Sequence, residues 1–320
     1  MIESDNKYKE VEMSSPSSVQ VLNEELFAQL ETPGMEKNAL DAVNEFTRVR
    51  VREDGFYRKI IPPVQVSNDD LDRQVDTDKP VIVVDKEPGS PAAISIPFAT
   101  LPINAYIRGP RYRVQFDRIV TPRFVKDIDE LRTWQMDIRQ VLSDNAIKDM
   151  LAEEDSKFLT AVDTALQGAD QVVPTSGVIQ YETIHGGISR DTVQEALKIM
   201  PKTPSHLEVN TVLINNVTIR ELLKWGYDEA GGDLSGDFFK SGWSEIDLMG
   251  VKWIVTIKRN LVEDDTMYFF GDPRFIGKSY LLEDTTMHIK REAFMIEFFA
   301  YETIGGSIGH TGGLSRADFA

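Results

Sequence analysis

The chain has 320 residues, 41% hydrophobic and 27% charged, with a net charge of −17. It contains no cysteine, which excludes disulfides, thiolate metal sites and a cysteine nucleophile. The acidic balance sets the chain as a whole against nucleic acid and anionic membranes, and no apolar run is long enough to cross a bilayer.

The opening, MIESDNKYKE, lacks the basic start and apolar run of a signal peptide. Residues 1–20 are polar and Ser-rich and read as an arm without a core of its own. Two short amphipathic helices are expected next. Val21–Glu31 carries Val21, Leu22, Leu26, Phe27 and Leu30 and stops at Thr32-Pro33-Gly34. The second runs from Met35 to about Arg48, with Leu40, Val43 and Phe46 on one side.

From Val49 to Pro122 the pattern is one of strands and turns. Val49–Arg52 alternates, Asp54-Gly55 signals a turn, and Phe56–Ile61 continues the β pattern. A charged stretch, Ser67–Lys79, precedes the strand Val81–Val84 and the tight turn Pro88–Pro91. Further strands are expected at Ala93–Pro97, Ala105–Arg108 and Tyr112–Phe116. These segments hold too few apolar side chains to build a core. A two-stranded ribbon is marginal alone in water, so a projecting ribbon supported by other subunits is expected.

Asp127–Gln167 contains neither Gly nor Pro, and its apolar residues recur every three or four positions. Leu131, Trp134, Ile138, Val141 and Leu142 lead through Met150 and Leu151 to Phe158, Val162 and Leu166. Asp127 with Glu130 can form a capping box, and Gly168 can end the helix. Unbroken, it would be about 60 Å long. Its charges exclude a membrane span, and its irregular seam argues against a long coiled coil. It reads as a strut, with Ser143–Asn145 as the place where it can break.

A compact α/β region follows. It reads as strand Val178–Ile184, a helix from the cap Ser189 to Met200 stopped by Pro201, and buried strand Glu208–Ile214. Thr218 and Glu221 suggest a capping box on the helix Ile219–Trp225, closed by Gly226. The Gly- and Asp-rich loop Gly231–Gly242 precedes strand Val251–Ile257. The remainder is β-rich: Met267–Phe270, Lys278–Leu282, Thr286–Arg291 and Ala293–Tyr301, then a glycine-rich tail ending in Leu314–Phe319. These last strands can cover the strut.

No catalytic, cofactor or metal site emerges. His185, His206, His288 and His310 are not spaced as metal ligands, and structural or solvated roles are expected for all four. Gly305–Gly309 resembles a phosphate loop only superficially, because no helix follows; a turn allowing close backbone approach is expected. Gly231–Asp237 lacks the ligand spacing of a calcium loop. Glu263-Asp264-Asp265 and Glu153-Glu154-Asp155 read as solvated acidic faces, the second able to accept a basic partner.

The order of parts is the informative feature: polar arm, ribbon, very long helix, compact α/β domain, terminal β region. With Val209–Asn216 running into Leu222–Trp225, then Gly250–Thr256 and Met267–Asp272, this order resembles the major capsid protein of tailed bacteriophages, the Hong Kong 97-type fold. The resemblance covers the whole chain. It implies an α+β fold with an N-terminal arm (1–48), an extended β-ribbon loop (49–98), a peripheral part (99–175) holding the spine helix 127–167, an axial domain (176–260) and peripheral strands with the C-terminus (261–320).

The implied function is structural. Copies would assemble as hexamers and pentamers into an icosahedral virion shell around double-stranded DNA, without sequence-specific binding, in the host bacterial cytoplasm. The arm is too short for a fused scaffolding domain, so a separate scaffolding protein is expected, together with a portal protein and room for a cement or decoration protein. Some members join a loop Lys to a peripheral Asn. Lys59, Lys79 and Lys86 could serve, but no Asn follows Asn260, so a non-cross-linked shell is expected.

Arg58, Lys59 and Arg73 are expected to meet Glu153, Glu154 and Asp155 of a neighbouring copy and to set register. Reversing Arg58 and Lys59 to Glu would then impair assembly and leave the monomer folded. An encapsulin, the same fold enclosing an enzyme, is the nearest alternative. An enzyme with a long interdomain helix and a minor or decoration protein also stay open.

Overall fold

The computed structural model describes residues 55–73, 77–88, 93, 95–98, 100–102, 104, 109–127, 138–172, 180–222, 224–225 and 245–320. The arm, the helices expected within 21–48, the strands 49–52 and 105–108, Gly226 and the loop 231–242 lie outside these residues. The described chain is mixed α+β and divides into two compact units. One holds residues 118–151 and 283–302; the other holds 55–117, 152–282 and 303–320.

The larger unit is built on a six-stranded sheet of strands β6 (Tyr181–Ile184), β13 (Leu314–Phe319), β10 (Thr266–Phe270), β7 (Thr211–Asn215), β9 (Val251–Thr256) and β8 (Glu245–Leu248), in that spatial order. β7 is buried along its whole length because it lies between β10, antiparallel, and β9, parallel. This is why its middle, Val212-Leu213-Ile214, is apolar at every position and does not alternate. Helix α3 (Arg190–Ile199) turns Val193, Ala196 and Ile199 into the same core as Val212, Trp253 and Phe269. Its start is fixed as expected: the Ser189 hydroxyl accepts from the Thr192 N–H, and the Thr192 hydroxyl accepts from the Ser189 N–H. Helix α4 (Ile219–Leu222) starts differently from the expected capping box. The buried Asn215 carbonyl oxygen accepts from the N–H groups of Val217 and Thr218, while the Thr218 hydroxyl accepts from the Asp265 N–H. Asn215 thus fixes the turn that leads into the helix, while the Arg220 and Glu221 N–H groups donate to the Val217 and Thr218 carbonyls.

A second layer carries the ribbon. β2 (Val81–Asp85) and β3 (Arg111–Gln115) form an antiparallel pair, Val81 opposite Gln115 and Asp85 opposite Arg111. One face of the pair buries Val84 and Val114 against Val66, Phe116 and Tyr280. Residues 93 and 95–97 form no strand. Pro91 and Pro97 leave that segment short of backbone donors. β1 (Pro63–Gln65) runs parallel to the start of β11 (Gly277–Glu292), Pro63 facing Ser279.

Phe56–Ile60, expected as β structure, is a short helix, α1. Its pattern is misleading because Phe56, Tyr57 and Ile60 are all buried, so a five-residue segment offers no polar face from which to read a period.

The long helix, α2 (Ile138–Val172), is continuous over 35 residues, about 52 Å. Ser143–Asn145 does not break it. It also runs through Gly168, the expected end, since a glycine inside a helix costs only about 1 kcal/mol relative to Ala. Asp127, expected as its cap, is instead the last residue of strand β5 (Phe124–Asp127), and residues 128–137 lie outside the described set. Within the larger unit α2 buries Phe158, Leu159, Val162 and Leu166, one stripe at helical spacing.

In the smaller unit the described helix residues Ala146, Met150 and Leu151 are buried. Its sheet uses the turn end of the hairpin formed by β11 and β12 (Met295–Ile308). β5 pairs antiparallel with β12, Met295 facing Asp127 and Phe298 facing Phe124. Ile296, Phe298 and Ala300 point inward. On the other face the Arg118 and Arg123 guanidinium groups lie over the rings of Tyr301 and Phe299. β4 (Asp117–Val120) is hydrogen-bonded beside β12.

Candidate functional site

The residues singled out from sequence fall into two sets. The first is a buried polar cluster in the larger unit. Arg58, on α1, donates through Nε to Glu154 Oε2 at 2.9 Å and through Nη2 to Glu154 Oε1. The fork is bidentate, and both side chains are almost wholly excluded from solvent. Beside it, Asp155 is fully buried. Its carboxylate accepts from the Tyr57 backbone N–H at 3.0 Å and from Lys258 Nζ at 2.6 Å. Burial pushes the Asp155 carboxyl above its ordinary range, while Lys258 and the Tyr57 N–H pull against it.

Tyr57 completes the cluster. Its ring meets Phe158 with centroids 4.7 Å apart, and its hydroxyl donates to Ser279. Burial pushes that phenol up to about 12. Glu154 and Asp155 therefore do not form the solvated face expected of them. They sit on the side of α2 that carries Phe158, and each holds a cation brought by another element. The pairing of Arg58 with Glu154 expected between copies is made within one chain.

The second set stays at the surface. Glu153 is exposed and Lys59 half-buried. Arg73 is exposed and lies 3.6 Å from the equally exposed Asp69. Further out, the connection between β2 and β3 presents two apolar side chains to solvent: Phe98 is 104% exposed and Leu101 91%.

Sequence reasoning overlooked Lys258 and Arg316. Arg316, on β13, lies over the rings of Tyr181 and Tyr268 and pairs with Asp163 of α2 and with Asp318. The end of the chain thus covers the long helix, as its sequence suggested. Burial works to lower the Arg316 pKa, but Asp318, Tyr268 and Asp163 outweigh it and hold the guanidinium above its ordinary value. No motif marks either residue; Arg316 lies in a strand and Lys258 in a loop.

The four histidines have separate surroundings. His185 and His206 are exposed, His288 stacks on Phe299, and His310 Nε2 lies 2.8 Å from the Ser205 hydroxyl. Gly305 and Gly306 lie inside strand β12, not in a turn. The close approach expected of them is present. A Cβ on Gly305 would stand 3.0 Å from the Gln115 carbonyl, and one on Gly306 would stand 2.4 Å from the Tyr57 hydroxyl.

No family model matches the chain, and no curated protein matches it in sequence. Solved structures do match in three dimensions. The asymmetric unit of the mature capsid of bacteriophage PhiM1 superposes with a TM-score of 0.57 at 10% identity, over 83% of this chain and 87% of that one. A chain of Microbacterium phage Oxtober96 gives 0.57 at 10% identity, over 84% and 92%. The virus-like particle of Pyrococcus furiosus gives 0.53 at 14% identity, over 87% and 98%.

Proposed function

We propose, from the Hong Kong 97-type fold that this chain shares with phage capsid proteins, that it is the major shell protein of a tailed-phage head. The observation that carries this reading is the extent of the likeness, which takes in 83–84% of this chain and 87–92% of the two phage chains. Copies assemble as pentamers and hexamers and close around double-stranded DNA. Closed shells need repeated contacts between copies. The division into arm, extended loop, spine helix, axial and peripheral parts follows from the same reading. So do a separate scaffolding protein, a portal and assembly in the bacterial cytoplasm. On this reading Arg73 and Glu153, both exposed, and the half-buried Lys59 contribute charge to contacts between copies.

A second reading, an encapsulin-type compartment around an enzyme, is supported by the likeness to the Pyrococcus furiosus virus-like particle. Electron microscopy and sedimentation of the purified protein, alone and co-expressed with its scaffolding protein, test both. Closed shells or rings of five or six copies support the proposal, and DNA or protein cargo then separates the two readings. A small oligomer that persists with the scaffold present overturns it.

A further inference from the structure

The carboxyl group of Asp155 is sealed from water with an amine against it. Lys258 Nζ stands 2.6 Å from Asp155 Oδ2, and the Tyr57 N–H donates to the other oxygen, Oδ1, at 3.0 Å. Both partners are fixed. Asp155 lies in the middle of α2. The Lys258 backbone N–H donates to Thr256 Oγ1 at 3.1 Å, and its carbonyl accepts from the N–H groups of Leu261 and Val262. The Lys258 ammonium also lies 5.7 Å from the centre of the Phe56 ring.

In water an ammonium and a carboxylate stay ionised and do not condense. Out of water the charged forms lose their solvation, and a neutral amine beside a neutral carboxylic acid is favoured relative to that state. Burial and the neighbouring Glu154 charge push Asp155 toward its protonated form, against the pull of Lys258 and the Tyr57 N–H. Holding the two groups in contact removes the entropy cost of bringing them together. The Tyr57 N–H is placed where an oxyanion forms when the carboxyl carbon is attacked.

We infer that Lys258 and Asp155 condense into an amide within the chain, a covalent staple between the long helix and the loop after β9. A proton passes from Nζ to Oδ2, and Nζ attacks Cγ. The charge that develops on Oδ1 is met by the Tyr57 N–H. A C–N bond forms, and the bond from Cγ to Oδ2 breaks. Oδ2 leaves as water with two of the three ammonium protons. One ammonium and one carboxylate become one amide and one water, and nothing is oxidised or reduced. The product removes two buried charges from the interior. It joins residues 103 positions apart, so it also restricts the unfolded chain. The bond needs no second copy and is independent of the shell reading. A chain that has condensed no longer titrates at Asp155; the acid–base behaviour of this residue belongs to the chain before the bond forms.

Intact mass spectrometry of the full chain, folded natively and then denatured, reads the bond directly. The expected mass is lower than that of the sequence by one water, and proteolysis should release one branched peptide joining the segments around Asp155 and Lys258. K258R keeps a cation beside Asp155 but lacks the amine, and should retain its full mass. D155N should lose ammonia in place of water. A full sequence mass that persists through prolonged incubation of the folded native chain overturns the proposal. So does a loss of water that survives in K258R, which would mark ring closure of an aspartate on its own backbone.

Discussion

Arg58 and Glu154 form a buried, bidentate ion pair between residues 96 positions apart. Removing one partner leaves the other charged and buried, which costs about 3–5 kcal/mol. R58A or E154A should therefore lower the denaturation midpoint sharply, and R58M/E154L should recover much of the loss. Chemical denaturation of the unassembled protein measures this. It also revises the expectation for the double reversal of Arg58 and Lys59 to Glu. Two carboxylates would face each other in the interior, so the monomer itself would be damaged. The informative assembly variants are K59E and R73E, whose side chains are not sealed in the interior.

The fold was legible in the sequence where a segment is long and one-sided. The apolar stripe of the long helix, the cap at Ser189 and the apolar runs of β7, β9 and β10 carry strong signals, whereas both ends of the long helix and the start of α4 were misread. The buried cluster was illegible for a physical reason. Glu153, Glu154 and Asp155 look alike in sequence, yet a helix turns successive residues by about 100°, so Glu153 faces water while its two neighbours face α1 and Lys258. Only their spacing from Phe158 pointed inward. Arg58 was hidden likewise, because α1 is too short to display a period.

Gly277 lies against the carbonyl of Ser307, where a Cβ would stand 2.0 Å from the oxygen. Its backbone is extended, so the constraint is steric and not conformational. G277A must push two paired strands apart, and overpacking of this kind costs roughly 1–3 kcal/mol. Gly187, by contrast, meets nothing within 4 Å. Its cost on substitution comes from its left-handed φ of 69° alone and should be smaller. Thermal unfolding of the two alanine variants would show the order; equal losses would refute the steric argument.

Asp318 titrates in the direction that makes acid destabilising. Burial works to raise its carboxyl pKa, but bonds from Tyr181, Arg316 and Thr266 win and hold it below the ordinary value of 3.8. Its contribution is present in full above the unfolded-state value and is lost as pH falls through the folded one. Asp155 has the opposite sign: its raised pKa makes ionisation costly, so its contribution weakens as pH rises from 3.8 toward the folded value. D318N should lower the melting temperature at neutral pH and flatten the loss below pH 4; D155N should flatten the slope above it. Melting temperature against pH for both variants distinguishes the two signs.

The shell should be held without covalent joints between copies. A bond between Lys and Asn needs both partners, and no Asn lies in the terminal strands beyond Asn260. Lys79 is in addition paired with Asp117 at 3.1 Å. Particles boiled in denaturant should run as one monomer band, and a ladder of oligomers would overturn this. What remains is non-covalent, and each surface ion-pair contact between copies is weak alone. Particle stability should then depend steeply on protein concentration and on the number of contacts per copy.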